Sequence, residues 1–152
     1  MSRRHAIELS PREQQEFLAQ QRTIVLSTID RHGYPHSVAM WYAMEDGCCV
    51  MTTYAKSQKA MNIRRNAKVA VMAESGTTYD TLKGVLIRGR GELIDDLDYC
   101  VGVLSRVHQK MMGAMPAGID EALRQQARKR VVIKVVPERV SSWDHSKLGG
   151  TY

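Results

Sequence analysis

The chain has 152 residues, enough for one domain spanning residues 1–152 that buries roughly two-thirds of its unfolded surface around a single core. Its longest apolar runs, such as Val131-Val-Ile133, fall far short of the ~20 residues of a membrane span. Its start, Met1-Ser-Arg-Arg-His5, lacks the apolar centre of a signal peptide, so a cytoplasmic protein with no membrane span is expected. The net charge of +6 favours an anionic partner, but aromatic residues are 6% of the chain and no zinc-finger, ribonucleoprotein or helix-turn-helix signature is visible. No nucleic acid is therefore expected, and a small phosphorylated or polycarboxylate ligand suits the charge.

In chain order, Ser10-Pro11-Arg12-Glu13 has the pattern of a capped helix start, with proline at the first helical position and Glu13 closing a capping box. This helix should run to about Gln21. Thr23 to Ile29 is β-branched and bounded by the turn cluster Asp30-Arg-His-Gly33, which predicts a strand entering a hairpin. The return strand is expected over Pro35 to Met44, with His36, Val38, Met40 and Tyr42 on one face and Ser37, Ala39, Trp41 and Ala43 on the other. After the turn Glu45-Asp46-Gly47, residues 48–53 read as a third strand. The cysteines number three; Cys48 and Cys49 are adjacent and Cys100 is distant, which suits reduced thiols, with one of the adjacent pair in the core.

A short helix follows, ending in Asn62-Ile-Arg-Arg-Asn66, and its first turn has the wrong charge. Lys56 and Lys59 flank the expected N-cap, Ser57, although a helix N-terminus already bears roughly half a positive charge. An anion such as a phosphate resolves that conflict. Five basic residues and no acid lie between Ala55 and Ala73. Helical spacing places Lys59 and Asn62 on one side and Ala60, Ile63 and Ala67 on the buried face.

Val69 to Ala73 is expected as a buried strand and 74–81 as a polar loop. Lys83 to Ile94 is a long strand whose glycines suggest bends or a bulge, as closure of a small barrel requires. Asp95-Asp96 should cap a helix to about Met112, and a second helix is expected from about Asp120 to Lys129. Val131 to Val136 is read as the last core strand, limited by Pro137, with an extended tail from Val140 to Tyr152 free to dock on another surface. About six strands joined mostly by hairpins, with two or three helices, predict an antiparallel α+β, mainly β, domain or small barrel.

Gly89-Arg-Gly91 lies within a strand and lacks a third glycine, which excludes a dinucleotide-binding loop. Asp144-His145-Ser146 contains the residue types of a hydrolase triad, but triad members come from separate elements. The five histidines are not read as a metal site, and no metal is expected.

The hairpin, the third strand ending in Thr52-Thr53 and the Lys-Ser-x-Lys-x-x-Asn-x-Arg-Arg helix together resemble the FMN-binding split β-barrel flavoproteins of the pyridoxamine 5'-phosphate oxidase-like superfamily. Within it the chain is most similar to the flavin/deazaflavin oxidoreductases that use coenzyme F-420. The resemblance spans about residues 12 to 140 and is strongest from Thr23 to Ala73. It implies a homodimer with two cofactor sites at the subunit interface. It also implies hydride transfer from bound F-420, or alternatively FMN, to a small planar conjugated substrate. By position, His36, Ser37, Val38, Ala39 and Met40 would lie along the isoalloxazine ring. Thr52, Thr53, Lys56, Ser57 and Lys59 would hold the ribityl phosphate, with Asn62 supporting the turn. His36 and Tyr79 are conceivable proton donors, although neutral scaffolding suits each better. Arg124, Arg128, Lys129 and Arg130 would face the polyglutamate tail of F-420 or form a solvated helix end, and Trp143 would reach the partner's ring. A non-enzymatic protein that holds flavin or haem is the alternative of a different class.

Overall fold

The computed structural model describes residues 2–150. After a four-residue helix α1 (Arg3–Ala6), which the sequence did not announce, α2 (Pro11–Gln20) begins at Ser10 with the expected capping box and Pro11 in the first turn. The strands are β1 (Thr23–Ile29), β2 (Pro35–Trp41), β3 (Ala43–Glu45), β4 (Cys48–Tyr54), β5 (Lys68–Ser75), β6 (Lys83–Ile94) and β7 (Arg130–Asp144). Between them lie α3 (Gln58–Arg65), α4 (Leu97–Met112) and α5 (Ile119–Ala127).

All seven strands form one antiparallel sheet in the order β2-β1-β5-β6-β7-β4-β3. The two edge strands, β2 and β3, are consecutive in the chain and separated only by Tyr42, so the sheet curls until its edges nearly meet. This is the antiparallel split β-barrel. The return strand is thus not continuous from Pro35 to Met44. It breaks at Tyr42, whose fully buried ring turns inward while its hydroxyl donates to the Leu18 carbonyl.

Period-two alternation sorts the strand residues between two cores. Leu26, Met51, Val71, Val85 and Ile133 point into the barrel with Tyr42, and Phe17 and Leu18 of α2 close it. On the outside of β3, β4 and β7, Ala43, Val50 and Val132 pack against Val103, Leu104 and Leu123 of the α4–α5 pair. Tyr99 donates to the Glu45 carboxylate, and Arg106 reaches the same group at 3.2 Å, which fastens α4 to β3. Cys49 is the buried member of the adjacent pair, and burial pushes its thiol up to about 12.

The long strand is bulged as expected, with a register shift between Arg88 and Gly89. A β-carbon on Gly89 would lie 2.0 Å from the Val136 carbonyl oxygen, so only glycine permits this close approach. That shift is also why Pro137 does not end β7. The proline sits opposite Gly89, Glu138 is the extra residue, and pairing resumes at Arg139 opposite Arg88. The segment expected as a free tail therefore continues as strand to Asp144 on its own chain, and the Trp143 ring lies over Gly84. The last two residues of that tail lie outside the described residues. Among the described residues, no helix is long and apolar enough to cross a membrane.

Candidate functional site

Helix α3 begins where its sequence places it. Ser57 is the N-cap, its hydroxyl accepting from the Ala60 amide at 3.3 Å, and the Thr53 hydroxyl donates to Ser57 at 3.0 Å. Lys59 is half-buried, while Asn62 is fully buried. Its amide nitrogen donates to Thr28 at 3.0 Å, and its oxygen accepts from Gln58 and Arg65. It ties α3 to β1 and holds the helix start in place.

Strand alternation turns Thr53 inward and Thr52 outward. Outside the barrel, β7 begins beside the end of β4, with Arg130 opposite Tyr54. The Arg130 guanidinium stacks on the Tyr54 ring at 4.5 Å and donates to the Thr52 hydroxyl at 3.3 Å. Its Nε is buried without a hydrogen-bond partner. Burial, and secondarily the charge of Arg130, holds the Lys59 ammonium below its ordinary pKa. Lys59 and Arg130 thus act on one another, and among the described residues neither has a carboxylate partner. A buried guanidinium nitrogen is rarely left unpaired. An anion placed between these two cations would satisfy it, and the donor set fits a phosphate.

A cavity of about 370 Å³ opens beside this corner. One wall is Ala39, Met40 and Trp41 of β2, with Thr52 and Arg130 at one end. The opposite wall comes from the helical pair, with Leu104, Val107 and His108 on α4 and Gln126 on α5. The curl of the sheet brings the two walls together, because β2 and β4 are distant in strand order.

The other expected residues lie outside the lining of this cavity. Val38 is half-buried next to Leu26, and Ser37 is exposed, 2.8 Å from the Ser27 hydroxyl. His36 lines a separate cavity of about 490 Å³ with Gln58, Met61 and Arg65, and its Nδ1 is buried without a partner. Lys56 is exposed and lines a third, with Arg128 and Lys129. The basic cluster at 124–130 is therefore divided. Arg124 pairs with Asp98 at 2.7 Å, Arg128 and Lys129 face Lys56, and Arg130 enters the β4 corner. Tyr79 stacks on His145 at 4.5 Å, away from this region. Among the described residues, no group of three or more His, Cys, Asp and Glu side chains is placed to hold a metal ion.

Sequence reasoning had associated Arg130 with a cofactor tail or a helix end and had not singled out His108 or Gln126. The signal for His108 was present, because the buried positions Cys100, Val103, Leu104 and Val107 predict that residue 108 continues the same stripe.

The match to the family of pyridoxamine 5'-phosphate oxidase extends over residues 10–144. A conserved hypothetical protein of Mycobacterium tuberculosis is 38% identical, with a TM-score of 0.93 over 100% of this chain and 95% of that one. A structure described as an F420 reductase is 24% identical with a TM-score of 0.66, covering 84% of this chain and 94% of its own. A FAD-binding protein of Mesorhizobium loti is 25% identical with a TM-score of 0.64, covering 89% and 94%. No curated protein matches the sequence. The split barrel, the capped helix at the end of β4 and the match over most of its length show that the chain belongs to the pyridoxamine 5'-phosphate oxidase family.

Proposed function

We propose that the protein is an oxidoreductase that binds a deazaflavin, coenzyme F-420, and passes hydride to a small planar conjugated substrate. The observation that supports this most is Arg130, a half-buried cation without a carboxylate at one end of a cavity walled by β2, with the charge of Lys59 acting on it. When bound, the cofactor would supply the hydride chemistry. The chain's part is to bind and orient it. Lys59, Arg130 and Thr52 take the phosphate, while Ser57 and Thr53 fix the helix start and Lys56 adds positive charge outside. Ala39 and Met40 lie along the ring, flanked by Val38, Ser37 and His36. Asn62 acts through the position of α3.

The open side of the cavity is closed in this reading by a second copy of the chain, which covers the exposed Trp41. Light scattering at micromolar concentration should give twice the monomer mass.

The decisive experiment is fluorescence titration with F-420 and, separately, FMN at physiological salt. Low-micromolar or tighter binding of F-420, weak binding of FMN and loss of binding in Lys59→Ala support the proposal. The reverse preference moves the protein to FMN chemistry. Binding without turnover of any quinone or nitro acceptor would favour a flavin- or haem-holding protein, and binding of neither cofactor sinks the phosphate assignment.

A further inference from the structure

The α4–α5 pair is an insertion between β6 and β7 that does more than cover the outside of the sheet. It places one turn of α4 and the end of α5 opposite β2, and it encloses a cavity that would otherwise be an open sheet face. Leu104 and Val107 are buried on this wall, as its amphipathic spacing requires. His108 interrupts the apolar stripe four residues after Leu104, and Gln126 comes from the last turn of α5. Among the described residues, neither side chain forms a hydrogen bond or an ion pair. Two unengaged hydrogen-bonding groups beside apolar side chains have the character of a recognition surface.

Resting on the assignment of β2 to the cofactor ring, we infer that His108 and Gln126 recognise the acceptor. They are its specificity residues, and the insertion is the wall that selects it. Their chemistry defines the class. The apolar floor suits a flat conjugated ring, and the polar pair suits carbonyl or nitro oxygens on its rim. No carboxylate lines the cavity, so nothing in it favours a cationic ring.

The test uses the full chain and the variants His108→Ala, Gln126→Ala and His108→Gln. Both positions lie at or near the surface, so the fold is expected to tolerate them. Three quantities are measured: F-420 and FMN affinity by fluorescence, menadione affinity for the protein loaded with oxidised cofactor, and affinity for 2-methylnaphthalene, which has the same rings without oxygens. Each alanine variant should weaken menadione binding about tenfold, the loss of one hydrogen bond, with cofactor and 2-methylnaphthalene binding unchanged. His108→Gln should restore part of that loss. In turnover, KM for menadione should rise with little change in kcat. Equal losses for menadione and 2-methylnaphthalene would reduce both residues to shaping the wall. A loss of cofactor affinity with unchanged menadione binding would show that the insertion reads the cofactor instead. Either result overturns the inference while the cofactor reading survives. Wild-type protein that binds neither cofactor would overturn both.

Discussion

The joined ends of the chain and the β4–α3 corner both gather charged side chains, and they treat them oppositely. Where the N- and C-terminal segments meet, Lys147, Glu13, Lys83 and Asp144 each have a partner of opposite charge. Lys147 lies 2.9 Å from Glu13, Lys83 lies 3.4 Å from Asp144, and the Leu9 amide donates to the Ser142 hydroxyl. The Glu13 carboxyl is held down to about 2, chiefly by its hydrogen bond with Lys147. Burial alone would raise the Asp144 carboxyl, but hydrogen bonds from Ser146 and Lys83 bring it below the ordinary range. At the β4–α3 corner, Lys59 and Arg130 act on one another through their charge, neither has an acidic partner, and a guanidinium nitrogen is buried unpaired. The pairs of the first region are met within the chain, whereas the cations of the second have no acidic partner in it. Unmet charge of one sign is thus a better guide to a site than charge density.

The contrast is sharpest on removal of both cations. Lys59→Ala combined with Arg130→Ala should weaken F-420 binding by at least about 100-fold, from the loss of two charge-assisted hydrogen bonds. A Kd unchanged within threefold would break the contrast. Next, Arg130→Met should change the stability of the ligand-free protein by no more than about 1 kcal/mol, because the lost contacts with Thr52 and Tyr54 are offset by relief of a half-buried cation that has no acidic partner. Denaturant unfolding that instead shows a loss of 2 kcal/mol, roughly the size of a buried charged hydrogen bond, would mean that the arginine is already satisfied.

The smallest effects belong to the termini. Lys147→Ala should lower stability by no more than about 1 kcal/mol, since its ion pair is partly exposed. That pair has a definite pH dependence. The Glu13 carboxyl titrates lower when folded than its ordinary 4.5, so its contribution is fully present above that value and disappears as pH falls to about 2. Melting curves of the wild type and Glu13→Gln should converge over this interval. Lys59 acts at the other end of the scale. Its depressed pKa makes its charge a cost to the ligand-free fold, and that cost is relieved as pH rises toward 10.5.

Local chemistry explains what the sequence disclosed. Ser10, Ser57 and Asp96 announce their helices because each cap satisfies amides only two or three residues away. The hairpins around Gly33 and Gly47 were equally legible. What escaped depends on residues far apart in the chain. Pro137 is tolerated inside β7 because Gly89, 48 positions earlier, lies opposite it at a bulge. Arg130 belongs to the corner because β7 pairs with β4, and no spacing within 124–130 distinguishes it from Arg128. Asn62 was read as supporting the turn, but its partner for that, Thr28 on β1, lies 34 positions away. In the candidate site, the polar residues of 52–59 were visible through motif and charge, whereas the opposite wall emerged only with the fold.

Ile94, just before the helical insertion, and Val132, just after it, are cross-strand neighbours. Arg130 and Val131 already belong to β7, so the 35 residues from Asp95 to Lys129 leave and re-enter the barrel at almost the same place, and their removal would need a turn between two paired strands and would bare Ala43, Val50 and Val132. The insertion is in effect a cassette. Exchange of everything from Asp95 to Lys129 would leave β2, β4 and α3 intact, so one wall of the cavity is separable in sequence from the corner that it faces.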